Sequence, residues 1–376
     1  MSKNPLRELS KEGVSVWLDY LDRKLLRTGR LARLIEEDGI RGETSNPTIF
    51  QQGISAGSEY AEDIRGLAAR GRSAEEICWE IMIGDVQAAC DVFRPLYDRT
   101  NREHGYVSLE LNPTLAHKTE ESIAEGRTLW KRVGRPNLML KVPGTVEGLP
   151  VVETLLSEGL NINTTLLFSV RRYEEVIDRF FGGLEKRLAE KKPIEGIGSV
   201  ASFFVSRVDT EADKRLDAIL AARPEKSGAI AALRGRVAVA NSRLAYGAFL
   251  AKFGSERWKR LAERGARPQN PLWASTSTKN KAYSDILYVA ELIGPHCVNT
   301  MPEETIDAFR HHGAARRTLT NETIAEAREV FASLAEIGVD IEEITLGHLV
   351  KDGVRKFEVS YEELLGTVAK AAAGSK

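Results

Sequence analysis

Short apolar runs alternate with amphipathic stretches along most of the chain. Ser15-Val-Trp-Leu-Asp19 reads as a strand ending in an acid, and Leu21 to Glu37 follows at helical spacing through Leu25, Leu31, Leu34 and Ile35, stopped by Gly39. Ile40 to Thr44 is a second strand, running into Ser45-Asn46-Pro47, a turn whose proline suits the start of a new element. Glu59 to Ala69 and Ser73 to Tyr97 are helical in pattern. Gly105 to Glu110 is a third strand, again closed by an acid, and Leu115 to Val133 is a helix. Asn137 to Thr145 is the fourth strand and its exit. Leu149 to Glu158 is a helix, Leu160 to Thr165 the fifth strand, and Val170 to Lys191 a helix. Ile197 to Val205 is the sixth strand, followed by a long, mostly helical tract from Asp209 to Gly265. Pro271 to Thr276 and His296 to Met301 complete the strands, and helices are expected over Glu303 to Phe309, Thr323 to Ile337 and Tyr361 to Ala372, with Lys370 to Lys376 fraying.

Eight strands alternating with helices require parallel pairing and crossover connections. Closed on themselves they form a single α/β domain, a (β/α)8 TIM barrel spanning 1–376 with extra helices and a helical insertion at about 209–265. The competing architecture is an open doubly wound sheet. Against it, no strand leads into a glycine-rich phosphate or dinucleotide loop. In a barrel the C-terminal ends of all eight strands converge on one mouth, where chemistry is found.

The fourth strand carries the residue that changes the picture. Period-two alternation puts Leu138 and Leu140 on one face and Met139 and Lys141 on the other, and Pro143-Gly144 ends the run. Burial of an amine favours its neutral form, which can attack a carbonyl and form a Schiff base. The plainer reading is a lysine ending an edge strand and pointing into water.

Composition narrows the classes. The chain has 376 residues, 42% hydrophobic, and 53 basic against 54 acidic residues, a net charge of -1. Such a balance supplies no field for gathering nucleic acid or an anionic membrane, so any anion must be held by a local cluster. Cys78, Cys90 and Cys297 form no CxxC pair, so neither a disulfide framework nor a zinc site is indicated. His311-His312 reads as a solvated turn. The first residues, Met1 to Gly13, lack the apolar core of a signal peptide, and no apolar run reaches the length of a membrane span. A soluble cytoplasmic protein is expected.

What stands at each strand end is the decisive pattern: Asp19, then Thr44-Ser45-Asn46, Glu110, Lys141, Asn163 to Thr165, Ser202 with Arg207, and Ser275 to Lys279. A single polar residue at a strand end is usually a solvated loop residue. Seven in register around a fold that aims them at one point make a site. Thr44-Ser-Asn-Pro-Thr-Ile-Phe50, Val107-Ser-Leu-Glu110, Leu138-Met-Leu-Lys-Val142, Asn161 to Ser169 and Ser202-Phe-Phe-Val-Ser-Arg207 together resemble the transaldolases of the longer bacterial type, over Val16 to roughly Met301. The resemblance implies a class I aldolase-type barrel without metal or cofactor. Such enzymes move a dihydroxyacetone unit from sedoheptulose 7-phosphate to glyceraldehyde 3-phosphate, giving erythrose 4-phosphate and fructose 6-phosphate, in the non-oxidative pentose phosphate pathway.

By that resemblance Lys141 forms the imine, Asp19 takes and returns the C4 hydroxyl proton, and Glu110 works through a water that Thr165 helps to position. Asn46 and Asn163 hold the dihydroxyacetone hydroxyls, Thr44 and Ser45 line the same wall, and Ser202 bonds the sugar chain. Arg207, Ser277 and Lys279 receive phosphate; Lys279 stands where many relatives have arginine, which keeps charge but loses the bidentate fork. Phe204 offers no hydroxyl to orient water, favouring transfer to an aldehyde over release of free dihydroxyacetone. Expected partners are therefore small sugar phosphates, not nucleic acid or membrane. The insertion after Arg207 is read either as a cap on the barrel or as a contact to another copy, which leaves a homo-oligomer open. Two rival readings stand beside this one: a simple Schiff-base sugar-phosphate aldolase, and a non-catalytic barrel serving as a scaffold.

Overall fold

Every strand expected from the pattern forms in the structure, a computed structural model that describes residues 4–56 and 58–373. They are β1 Val14–Leu18, β2 Gly42–Thr44, β3 Tyr106–Glu110, β4 Leu138–Pro143, β5 Ile162–Leu167, β6 Ser199–Phe204, β7 Asn270–Ala274 and β8 Cys297–Met301. Each pairs in parallel with the next, and β1 closes on β8, so the sheet is a complete barrel. Lys141 is thus on a central strand. Strands in such a sheet are covered on both faces, by the helical ring outside and by interior side chains within, which is why nearly every strand residue is buried. Trp17 fills the bore opposite Gly42, where a Cβ would come within 2.4 Å of its ring. Burying a side chain of that size stabilises the fold by about 1.5–3 kcal/mol or more.

Several helices differ from the sequence reading. The expected helix from Leu21 to Glu37 breaks into Arg23–Arg27, Arg30–Arg33 and a wide turn Leu34–Asp38, because Gly29 takes a left-handed φ of +67°. His311 and His312 are not a turn but the last two residues of the helix Glu303–His312, whose last turn also carries Arg310, a cation suited to the terminal carbonyls. The tract after β6 divides into Ser206–Ala222, Ser227–Ala231, Val237–Phe253 and Glu256–Ala262. Of these, Val237–Phe253 packs against β7 and the helices Val170–Ala189 and Asn321–Ile337, a place in the outer ring.

The C-terminal helix begins at Leu349, not Tyr361, and follows a wide turn at Glu343–His348. Gly353 and a lysine-bearing polar face dilute its apolar spacing, so its first half does not read as amphipathic. Gly353 is closely packed: a Cβ there would stand 3.0 Å from the Leu166 side chain on β5. Leu349, Val354, Phe357, Tyr361, Leu364 and Val368 are buried, and the helix lies against Pro47–Ala56 and Ala74–Arg99. It runs to Ala373; the remainder of the expected frayed end, 374–376, lies outside the described residues. No described helix is long and apolar enough to cross a membrane.

Candidate active site

Strand register builds the centre. Glu110 on β3 pairs with Lys141 on β4, and Lys141 pairs with Asn163 on β5, so three polar side chains stand side by side at one level of the barrel. Lys141 is 3% exposed and Glu110 6%. The Lys141 Nζ lies 3.2 Å from Glu110 Oε2 and donates a hydrogen bond of 3.1 Å to the Ser45 carbonyl. Burial raises the Glu110 carboxyl above its ordinary value, against the pull of the Lys141 charge. A buried carboxyl beside a buried amine can exchange a proton with it without recruiting solvent.

Asp19, one residue past β1, lies on the cavity side. Its Oδ1 accepts a 2.6 Å bond from Thr44 Oγ1, which also meets Thr300 Oγ1 at 2.7 Å. Burial raises the Asp19 carboxyl from its ordinary value, with Lys141 and the Thr44 hydroxyl opposing. A carboxylate moved towards neutrality is a better proton acceptor at working pH.

Asn163 is fully buried. Its Nδ2 donates to Ser108 Oγ at 3.1 Å, and its Oδ1 accepts from Ser202 Oγ at 2.7 Å. One amide hydrogen of Asn163 is left over for a ligand. Thr165 faces the same way two residues on, and its buried Oγ1 has no partner. Asn46 accepts from the Ile49 N–H at 3.0 Å, capping the helix Pro47–Ala56 while its side chain also borders the cavity. Ser45 departs from expectation: its hydroxyl donates to the Ser108 carbonyl at 2.7 Å, so only its main chain faces Lys141.

A cavity of about 850 Å³ opens above Lys141 and is bordered by Asp19, Thr44, Asn46, Ser202, Phe204 and Arg207, with Ser277 and Lys279 further out. Glu110, Asn163 and Thr165 lie beneath its floor rather than on its wall. Arg207 is held between two rings, its Cζ 5.2 Å from the Phe204 centroid and 6.0 Å from that of Phe357. Burial lowers its pKa from the ordinary arginine value, with Asp352, Glu110 and Asp19 opposing. Its Nη1 is buried without a partner. A fork kept cationic and incompletely satisfied suits a phosphate. Lys279 Nζ donates to Ser277 Oγ at 2.6 Å at the outer end.

Several bordering residues escaped the sequence reading. Thr300 stands at the end of β8, and the strand-end rule that found the others would have found it too. Phe357, His348, Asp352 and Lys356 come from the C-terminal segment, which no local pattern assigns to the mouth. Lys356 is exposed, yet it edges the cavity and pairs with Asp352 at 2.6 Å. Thr210, Glu211 and Lys214 reach the mouth from Ser206–Ala222.

A family described as Transaldolase/Fructose-6-phosphate aldolase matches residues 16–368. A relative named transaldolase from Frankia alni is 48% identical over 367 residues, covering 98% of this chain and 97% of its own. Another from Acidothermus cellulolyticus is 47% identical over 368 residues, covering 98% and 97%. A third, from Thermobifida fusca, is 47% identical over 374 residues, covering 98% and 99%. With a buried amine at the centre of a closed barrel and a match over almost its whole length, the chain belongs to the transaldolase/fructose-6-phosphate aldolase family.

Proposed function

We propose that this chain acts as a transaldolase through a Schiff base on Lys141. The observation that carries the reading is the placement of Lys141: buried, 3.2 Å from Glu110, and opening into a cavity that ends in Arg207 and Lys279. Lys141 adds to the C2 ketone of a ketose phosphate, and loss of water gives the imine, with Glu110 moving the protons through a water held by Thr165. Asp19 takes the C4 hydroxyl proton as the C3–C4 bond breaks, and the electron pair passes into the imine to leave an enamine. The shortened aldose phosphate departs. An acceptor aldehyde enters, the enamine attacks it, Asp19 returns the proton, and water releases the new ketose. Asn46 and Asn163 bind the hydroxyls of the dihydroxyacetone unit, with Thr44 supporting Asp19 and Ser202 supporting Asn163. Arg207, Ser277 and Lys279 take the phosphate of the sugar. The cytoplasm is the compartment that suits such substrates, and the three free, buried cysteines suit its reducing conditions.

Phe204 supports transfer over simple aldol cleavage. Its phenyl ring packs 5.2 Å from Phe168 and presents no hydroxyl to hold a hydrolytic water. Rapid release of free dihydroxyacetone from fructose 6-phosphate without an acceptor would favour the simple aldolase instead. The central experiment is borohydride reduction in the presence of fructose 6-phosphate, followed by peptide mapping. A stable adduct on Lys141, absent from Lys141→Arg, is the expected result; an adduct on another lysine, or none, refutes the proposal.

A further inference from the structure

The opposite end of the barrel, where the strands begin, holds a second cavity of about 370 Å³. Its wall includes Arg102, Arg267, His104, Tyr106, Asn270 and Ser15, none of which serves the site at the mouth. Its size is that of a small-molecule pocket rather than a packing defect.

The charges here are arranged for an anion. Among the described residues neither Arg102 nor Arg267 has a carboxylate within ion-pair distance, and Arg267 Nη1 is buried with no hydrogen-bond partner. Arg102 and Arg267 both line the cavity together with His104 and Tyr106. Behind them Arg41 donates to His104 Nε2. Burial, with Arg41 and Arg267, holds the His104 imidazole down to about 4. It is therefore neutral near pH 7, accepting at Nε2 and carrying its proton on Nδ1, which faces Ser15 Oγ at 3.5 Å. The acid at this rim, Glu103, lies 3.8 Å from His104 and is largely exposed.

Backbone conformation adds to this. Asn101, Arg102 and His296, all on the cavity wall, have φ of +50°, +67° and +61°. Non-glycine residues persist in the left-handed region where surrounding structure holds them, and such positions gather at functional sites. Asn270 Oδ1, buried and unpartnered, adds an acceptor suited to a ligand hydroxyl.

We propose that the N-terminal end of the barrel is a second ligand site, in which Arg102 and Arg267 bind the phosphate group of a small phosphorylated metabolite or free phosphate. Asn270 and Ser15 face the remainder of such a ligand. The site is independent of the chemistry proposed for Lys141, since it shares no residue with that cavity.

The test is calorimetric titration of the full chain with inorganic phosphate and, separately, with sorbitol 6-phosphate, which has no carbonyl to react with a lysine. Wild type, Arg207→Gln, Arg267→Gln and Arg102→Gln are compared, each checked by circular dichroism. Two binding events are expected in wild type. Arg207→Gln weakens one of them, and Arg267→Gln and Arg102→Gln each weaken the other by tenfold or more. Tighter binding of sorbitol 6-phosphate than of phosphate at the Arg267-dependent site identifies a metabolite; equal binding identifies phosphate itself. Binding of both probes that is unchanged in Arg267→Gln and Arg102→Gln overturns the proposal, as does loss of all binding in Arg207→Gln alone. Because Arg102 is exposed, its variant keeps the test decisive should Arg267→Gln fold poorly.

Discussion

Lys141 and Glu110 occupy paired positions on adjacent parallel strands, with nitrogen and oxygen 3.2 Å apart and both side chains almost wholly buried. A charge pair in such a place is costly to desolvate and adds little net stability. Its presence is better explained by reactivity than by folding, since a carboxyl able to exchange a proton with the amine suits the imine chemistry proposed for Lys141.

If Glu110 handles those protons, Glu110→Gln should slow the steady-state reaction by about 10²–10⁴-fold, the range for loss of a general acid or base. The imine should then persist, so that borohydride traps more adduct per unit of turnover than in wild type. A proportionate fall in trapping and turnover would instead place Glu110 outside the hydrolytic step.

The pH profile follows from Asp19. Burial raises its carboxyl above 3.8, so the ionised form, which the proposed transfer of the C4 proton needs, is lost at a higher pH than for an exposed aspartate. The acid limb of kcat/KM should therefore lie above that ordinary value, and Asp19→Asn should flatten what activity remains on that side. Since Asp19 and Glu110 feel each other and Lys141, the limb reports the group of three. An acid limb at or below the ordinary aspartate range would contradict this assignment.

Arg207 is stacked between Phe204 and Phe357 with one buried N–H unpaired. Charge-assisted hydrogen bonds contribute about 1.5–3 kcal/mol. Arg207→Ala should thus lower kcat/KM for phosphorylated substrates by about 10–150-fold, mainly through KM. Arg207→Lys should recover only part, because a point charge does not replace the fork. Steady-state kinetics with a phosphorylated substrate and its dephosphorylated analogue distinguish phosphate binding from general damage: the analogue should be affected far less.

Glu43, on the outward face of β2, is fully buried, and both carboxylate oxygens lack partners. Burial, with Asp85 and Asp22 adding to it, raises its carboxyl well above 4.5. The folded state then holds a proton that the unfolded state releases, so this residue's contribution to stability falls as pH rises from the unfolded value towards the folded one. Glu43→Met should stabilise the protein by about 1–3 kcal/mol at neutral pH, with little gain at pH 4. Urea denaturation at the two pH values measures the difference, and an equal gain at both would mean that packing, not ionisation, is responsible.

Much of the site is legible along the chain because parallel strands convert sequence position into height in the barrel. Asp19, Thr44 and Glu110 sit at or just past the C-terminal ends of their strands, and parallel register sets Lys141 and Asn163, inside β4 and β5, level with Glu110. Ser45 follows Thr44 at the strand exit and faces the other way, so its hydroxyl is drawn to the Ser108 carbonyl. The broken helix after β1 was missed because Thr28-Gly29 interrupts a spacing that otherwise continues.

Local pattern alone determined the eight strands, their parallel order and the lysine that marks their common end, for each depends on periodicity within a few residues. Tertiary structure alone decided what covers the mouth. Phe357, 6.0 Å from Lys141 Nζ, comes from a helix more than two hundred residues further along the chain. Its helix is held by contacts with Pro47–Ala56 and Ala74–Arg99, and contacts between distant segments leave no period in the sequence.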